Sequence, residues 1–186
     1  MLLSIYHFNP KHSISKPMTT IKRALLSALL LVLLTATGYA QGTRSIPELT
    51  IKTLDGKEIL TSTFENDGKP YVISFWATWC RPCLKELNAI AEIYDDWQEM
   101  GFKVIAISTD DSRTRANILP MVNGRGWEYE FYYDENGDLR RAMGVNMVPH
   151  TFIVNGKGEI VSQHTSFADG MEWEMYEKLQ KLLEEE

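Results

Sequence analysis

The sequence has very little cysteine, since Cys80 and Cys83 are the only two in 186 residues. Just two residues separate them, so a bridge between them would close a short loop and gain little from loop entropy. A disulfide-stapled scaffold is therefore a poor explanation for the pair. A structural zinc site usually has four ligands. Besides the two cysteines, only His150 and His164 are candidates after residue 40, so such a site is a poor explanation as well. Reactivity explains the two cysteines better than either structural role.

Basic residues are also in deficit. The chain has 19 Lys and Arg against 25 Asp and Glu, for a formal net charge of −6. Residues 1–40 contain basic residues and no acidic ones, so the remainder is more acidic than the whole. Nucleic-acid binding needs a basic face that neutralises phosphates. We therefore expect no nucleic acid among the partners.

Long apolar runs are absent as well. The longest, residues 24–36, falls short of the roughly 20 residues that a membrane-spanning helix needs. It follows Lys22 and Arg23, and it precedes Gly38-Tyr39-Ala40, which offers small residues at the positions that a signal peptidase reads. A basic segment, a short apolar segment and a small-residue site in this order are typical of a secretory signal peptide.

The prediction is a signal peptide at residues 1–40 and one mature domain at residues 41–186. The mature domain would be exported to the periplasm or another extracytoplasmic compartment and soluble after cleavage. Met18 is an alternative start, because the residues before it add nothing that a signal peptide needs. An uncleaved N-terminal membrane anchor is the alternative interpretation.

Apolar periodicity in the mature part alternates between strands and helices. Buried strands are predicted at residues 71–76, 102–108 and 127–133, each followed by a helical segment. Hairpins are predicted around Asp55-Gly56 and Asn155-Gly156, because such dipeptides favour tight turns. This order favours an α/β fold with a central mixed sheet, an N-terminal hairpin and an antiparallel edge.

Large side chains can be assigned to core or surface from their spacing. A single helix ending at Gly101 is predicted after Pro82, with one apolar face. The members of that face are Cys83, Leu87, Ile90, Tyr94 and Trp97. Trp173 is predicted to face the core from the last helix, and Met143 and Met147 to pack inside.

The stretch from Trp76 to Cys83 joins a buried strand to a helix start. Cys80 would lie at the helix N-terminus, where free N–H groups and the helix dipole stabilise a thiolate. Arg81 adds a positive charge nearby, and Pro82 suits a first helical turn. Cys83 would lie one turn further in, so Cys80 can attack a disulfide and Cys83 can resolve the product.

Residues 75–83 resemble the active-site motif of the thioredoxin superfamily. The form Trp-Cys-x-Pro-Cys-x-x-Glu, from Trp79 to Glu86, is similar to the TlpA/ResA-like branch of exported thiol–disulfide oxidoreductases. Residues 143–154 resemble the loop and strand that in this family place a cis-proline opposite the cysteines. The resemblance covers Ile46 to the C-terminus, and it implies a thioredoxin-like fold in which residues 111–133 form a helix-and-strand insertion.

The resemblance implies a role for each matching residue. Cys80 would be the attacking thiol, Cys83 the resolving thiol and Pro149 the cis-proline. The backbone of Val148 would pair with a bound substrate segment. Around the pair, Trp79, Arg81 and Pro82 would contact the substrate, with Trp79 at the rim and Trp76 inside.

Glu86 would move protons for Cys83, because the family uses a glutamate at this position and a partly buried carboxylate can do so. A solvated helix glutamate is the plainer alternative. Ser74 stands where thioredoxins proper carry a buried Asp, which makes Glu86 more important. Asn88 replaces a proline that is frequent in the branch, and His150 follows Pro149 where Thr is usual. We hypothesise that His150 lies near the pair and makes its potential depend on pH.

The predicted function is disulfide exchange on exported proteins, in the reducing direction by resemblance, with the Cys80–Cys83 disulfide as redox group and no other cofactor. Its partners would be protein thiols and disulfides, a membrane electron donor and, among possible clients, apocytochromes. Two alternatives stay open. Thr78 lies two residues before Cys80, as in a thiol peroxidase of the peroxiredoxin type. Cys80 and Cys83, with a nearby His, could instead hold Cu(I) in a metallochaperone.

Overall fold

The computed structural model describes residues 44–185, so the predicted signal peptide and its cleavage point lie outside the described residues. In the described part, eight strands form one mixed sheet. The strands are β1 Arg44–Ser45, β2 Thr50–Thr53, β3 Glu58–Leu60, β4 Tyr71–Trp76, β5 Val104–Ser108, β6 Glu130–Tyr133, β7 His150–Val154 and β8 Glu159–Thr165. Their order across the sheet is β1-β8-β7-β4-β5-β6-β2-β3.

Five α-helices accompany the sheet in residues 44–185. They are α1 Arg81–Glu92, α2 Tyr94–Met100, α3 Ile118–Arg125, α4 Asp138–Ala142 and α5 Met171–Glu185. Short 3₁₀ turns lie at Thr61–Thr63 and Arg115–Asn117. No helix in the described part is long and apolar enough to cross a bilayer.

Strand β4 lies at the centre of the sheet and leads into the Cys motif. It pairs in parallel with β5 and antiparallel with β7. All six of its residues are buried, because apolar layers cover both faces of the sheet here. A strand covered on both faces has a continuous apolar sequence, which is why residues 71–76 could be predicted.

Two apolar layers sandwich the central strands. On one face, Val72, Ala106 and Ile153 contact a layer that includes buried residues of α1, α2, α3 and α5. On the other face, Ile73 and Phe152 join the layer that includes Leu139 of α4. Successive residues of a strand point to opposite faces, so each strand contributes to both layers. Cys80 and Cys83 belong to the first layer.

The single helix predicted after Pro82 is in fact two helices. The backbone of Ile93 leaves the helical region, with φ −123° and ψ 16°, which ends α1 and begins α2. The apolar face continues across the break, since Tyr94 and Trp97 are buried, as are Leu87 and Ile90 before them. Gly101 ends α2 in the left-handed conformation, as predicted.

Two predicted core positions are wrong. Trp173 is 46% exposed, because α5 buries Met175 and Leu179 while Trp173 lies outside that stripe. Met147 is 60% exposed in the loop before β7, whereas Met143 is buried as predicted. The prediction for Trp173 rested on helical spacing and that for Met147 on its place near Pro149, and neither shows which side a neighbouring element covers.

The hairpins and the insertion have the predicted arrangement. Strands β2 and β3 pair antiparallel, and so do β7 and β8. Residues 111–133 contain a 3₁₀ turn, α3 and β6, and β6 extends the sheet by pairing in parallel with β5. Strand β6 begins at Glu130 rather than at Trp127, which packs in the first apolar layer.

Candidate active site

Cys80 caps the N-terminus of α1. The loop after β4 brings it there, and the backbone N–H of Cys83 donates to its Sγ over 3.2 Å. A disulfide joins Cys80 to Cys83, and Pro82 lies in the first turn. Backbone donors at a helix start stabilise a sulfur anion when the bond is reduced. The predicted relation between the pair and the helix is therefore present.

Pro149 lies at the same end of the sheet as the cysteines. Strands β4 and β7 are antiparallel, with Phe75 opposite His150, so the end of β4 meets the start of β7. The Val148–Pro149 peptide bond is cis. Val148 packs against the apolar layer that contains both cysteines. The two halves of the motif, which are 66 residues apart from Cys83 to Pro149, therefore meet in the fold.

The rim around the pair is exposed while the sulfurs are covered. Trp79 is 61% exposed, and Arg81 and Pro82 are also exposed. Cys80 is only 5% exposed and Cys83 only 1%. The exposed indole of Trp79 gives the rim an apolar element next to the more accessible sulfur, where another chain could bind.

Glu86 is fully buried on α1, one turn after Cys83 and on the same side of the helix. The Thr151 hydroxyl donates to its Oε1, and the Ser74 hydroxyl approaches the same oxygen at 3.4 Å. The other oxygen, Oε2, has no hydrogen-bond partner among the described residues. A solvated helix glutamate is thereby excluded. Buried polar atoms without a partner are rare, and a catalytic role is one of the explanations for them.

His164 completes this buried cluster, although sequence analysis identified it only as a candidate metal ligand. It lies on β8 directly opposite Thr151 of β7. Its Nε2 is 3.8 Å from Oε1 of Glu86. No sequence signal could have joined these two residues, because their contact depends on the pairing of β7 with β8.

His150 does not lie where the pH hypothesis needs it. Its ring stacks on Phe152, with 4.5 Å between the ring centres, in the layer on the opposite face from Cys83. Its Nε2 is 3.4 Å from Oε1 of Gln163. Burial lowers the pKa of His150 below its usual value, which favours the neutral ring at pH 7. The sheet therefore separates this histidine from the pair.

Asp110 supports the loop that carries Cys80. It is buried and accepts hydrogen bonds from the backbone N–H of Thr78 at 2.9 Å and from its hydroxyl at 2.6 Å. The Ser108 hydroxyl donates to it at 2.7 Å. Asp111, the next residue, accepts from the backbone N–H groups of Arg113 and Thr114 in the turn that precedes the 3₁₀ segment. Asp110 instead ties the active-site loop to the end of β5.

Replacing Asp110 with Ala should destabilise the protein markedly. Three donors, including a buried backbone N–H, would lose their acceptor, so we expect the free energy of unfolding to fall by about 2–4 kcal/mol. Urea denaturation measures this. The matched control is Asp111→Ala in an exposed turn, where a loss of about 1 kcal/mol is expected. Equal losses in both variants would contradict the supporting role of Asp110.

Metal ligands do not gather around the pair. In residues 44–185, no three His, Cys, Asp or Glu side chains are arranged to hold a metal ion. His150 lies across the sheet, and Nε2 of His164 faces Glu86.

A Cys-x-x-Cys disulfide at a helix start, next to a cis-proline on a mixed α/β sheet, defines a thioredoxin-like thiol–disulfide oxidoreductase. The chain belongs to the AhpC/TSA family, whose sequence pattern matches residues 43–163.

Known proteins of this kind resemble the chain in sequence and in fold. It is 28% identical over 120 residues to the thiol-disulfide oxidoreductase ResA of Bacillus thuringiensis, which covers 64% of this chain and 67% of that one. An uncharacterized thioredoxin-like protein from Porphyromonas gingivalis, solved in solution, is 45% identical with a TM-score of 0.67, covering 75% and 92%. A putative thiol:disulfide interchange protein DsbE from Chlorobium tepidum shares the fold at 20% identity and a TM-score of 0.66, covering 76% and 96%.

Proposed function

We propose that this protein reduces disulfides in exported proteins. The observation that carries the proposal is the position of the cysteines: Cys80 caps a helix at the rim, and Cys83 lies buried one turn inside it. This arrangement gives the two sulfurs different tasks. The outer sulfur meets the substrate, and the inner one is shielded from everything except its neighbour.

The reaction has two exchanges. The Cys80 thiolate attacks one sulfur of the substrate disulfide, and the other substrate sulfur leaves as a thiolate that takes a proton from water. Cys83 then attacks Cys80, which releases the second substrate thiol and leaves the Cys80–Cys83 disulfide. The substrate gains two electrons and the enzyme loses two.

Substrate would dock across the rim. The backbone of Val148, beside cis-Pro149, would pair with an extended segment that carries the target disulfide. Trp79 supplies apolar contact area, and Arg81 and Pro82 border the entrance. Backbone pairing makes few demands on side chains, so this mode suits several client proteins.

Glu86 would serve as the proton acceptor for Cys83. Thr151 and Ser74 hold its Oε1, while its Oε2 stays without a partner among the described residues. When the disulfide is reduced, Cys83 acquires a thiol proton, and residues three apart on a helix are neighbours. Oε2 is the atom that can take this proton as Cys83 becomes a nucleophile.

A reductase outside the cytoplasm needs a supply of electrons. The Cys80–Cys83 disulfide formed in each turnover must be reduced again, and a membrane donor of thiol electrons is the partner that fits an exported enzyme. Apocytochrome cysteines awaiting haem are a possible client class. Nucleic acid is not among the proposed partners, because the net charge is −6.

The reduction potential of the pair tests the direction. We expect about −270 mV, as in thioredoxin, and turnover of insulin disulfides, because the proposed enzyme donates electrons. Equilibration with glutathione redox buffers measures the potential. A value near about −120 mV would identify an oxidant and would contradict the proposal.

The peroxidase and copper alternatives are tested alongside. A thiol peroxidase would use Thr78 near the reactive sulfur, but its hydroxyl is committed to Asp110. We therefore expect the purified protein to consume no peroxide at a rate comparable with insulin reduction. Tight Cu(I) binding without disulfide reduction would favour the metallochaperone.

A further inference from the structure

The buried carboxylate of Glu86 has a single ionisable neighbour within ion-pair distance in the described part of the chain. That neighbour is His164, with Nε2 3.8 Å from Oε1. The Nε2 atom is buried and has no hydrogen-bond partner among residues 44–185. A distance of 3.8 Å is longer than a hydrogen bond by less than about 1 Å, so a small rotation of either side chain would join them.

The remainder of the imidazole faces a cleft. About a fifth of the His164 side chain is exposed. A cleft of about 230 Å³ lies between β8 and α5. His164 lines it from β8, and α5 contributes Met171, Glu174, Met175 and Lys178. The ring therefore lies beside the buried Glu86 carboxylate on one side and borders the solvent-filled cleft on the other.

We infer that His164 is a positioning residue that carries protons between Glu86 and this cleft. The inference rests on the proposed function, because it assigns Glu86 the proton of Cys83. His164 touches neither cysteine, so it acts only through Glu86. A side chain with two ring nitrogens suits the task, since one can accept a proton while the other releases one.

The steps balance as follows. The thiol proton of Cys83 moves to Glu86 as Cys83 Sγ attacks Cys80 Sγ, and the bond from Cys80 to the substrate sulfur breaks. Rotation of the Glu86 carboxyl group then brings its proton to Nε2 of His164, which lies 3.8 Å from Oε1, and Nδ1 releases one proton to water in the cleft. Glu86 is again a carboxylate, and the substrate sulfur has left as a thiolate. His164 ends as the neutral tautomer with its proton on Nε2, and exchange with water returns that proton to Nδ1 before the next cycle. The net product is one proton in solvent for each resolution.

This proton route does not pass through the rim where substrate would bind. A docked substrate would cover the entrance beside Trp79, and it would hinder proton exit on that side. The cleft lies between β8 and α5, and none of Trp79, Val148 and Pro149 lines it. Protons could thus leave while a client protein is still bound.

Four titratable or charged groups lie near His164. They are Glu86 on α1, Glu174 and Lys178 on α5, and His150, which interacts electrostatically with His164. Glu174 and Lys178 line the same cleft and have opposite charges. Glu86 is the closest of these groups, with Oε1 3.8 Å from Nε2.

A two-step thiol assay isolates the resolving reaction. The reduced protein is mixed with an aromatic disulfide that releases a coloured thiolate, once when Cys80 attacks and again when Cys83 resolves. We expect His164→Gln to leave the first release unchanged and to slow the second by about tenfold at pH 7, less than for loss of a direct acid–base group. Added imidazole, which the cleft can admit, should restore the second rate.

His150→Gln is the matched control, because it makes the same change on the other face of the sheet. We expect it to leave both releases as in the wild type. The double variant Glu86→Gln/His164→Gln should be no slower than Glu86→Gln alone, since the two act in series.

Three results would overturn the inference. One is an unchanged second release in His164→Gln. Another is a slowing that is equal at every pH from 5 to 9, roughly spanning histidine titration, and that imidazole does not reverse, which would be structural. A third is a double variant whose second release is slowed by the product of the factors measured for the two single variants. The two-step assay needs no protein client. Failure to reduce insulin would therefore contradict the reductase proposal and leave the inference about His164 intact.

Discussion

Cys80→Ser should abolish disulfide exchange, and Cys83→Ser should accumulate mixed disulfides on Cys80. The serine at position 80 removes the sulfur that the helix start stabilises as an anion, and no other described thiol can replace it because none remains at the rim. The serine at position 83 leaves the attack intact and removes the resolving sulfur. Insulin reduction measures the first effect, and mass spectrometry of captured adducts measures the second.

The double variant Cys80→Ser/Cys83→Ser is the control for trapping, because it should capture nothing. Circular dichroism should show that all three variants keep the fold, since each change replaces one atom. If Cys80→Ser trapped substrates through Cys83, the assignment of the outer and inner sulfur would be wrong. Clients retrieved with Cys83→Ser from the exported fraction would define the substrate class directly.

Glu86→Gln should slow the resolving step by about 100-fold, the lower end of the range for a lost general acid–base group. Gln has nearly the same volume and keeps an oxygen for Thr151 and Ser74, so the packing of the site should survive. Its amide cannot accept the Cys83 proton. The two-step thiol assay measures this change in the second release, while the first release, which belongs to Cys80, should be unaffected.

Glu92→Gln is the matched control for that variant, because Glu92 is exposed and lies on the same helix. It should behave as the wild type. A slow first release in Glu86→Gln would show that the carboxylate acts on Cys80 instead. An unchanged second release would show that Glu86 is structural and that Cys83 loses its proton to water.

Much of the site could be predicted from local sequence. The run Tyr71–Trp76 is apolar throughout and is followed by Cys80 and Pro82, so a buried strand, a helix start and a capping thiol follow from neighbouring residues alone. The place of Pro149 came from family resemblance and not from physics, because local sequence does not determine which distant loop faces the pair. The structure confirms both parts of the motif at one end of the sheet.

The misassigned residues share one cause. Trp173 has the spacing of a core residue and Met147 lies near Pro149, yet both are exposed, and His150 follows Pro149 but faces the other layer. In each case the local sequence did not encode which side a neighbouring element covers. The helix break at Ile93 shows the same limit of local sequence. The apolar pattern of residues 83–97 continues across the break, so spacing alone predicts one helix where the structure has two.

By itself the sequence determined the excess of acidic residues, the alternating strands and helices, and a reactive pair at a helix start, since composition and neighbouring residues are enough for all three. Only the tertiary structure brought Glu86 to Thr151 and His164, and Asp110 to Thr78. Those contacts depend on which strands pair and in what register, and a shift of one residue would send His164 to the opposite face. Register is fixed by burying both apolar layers at once, which is a property of the whole fold.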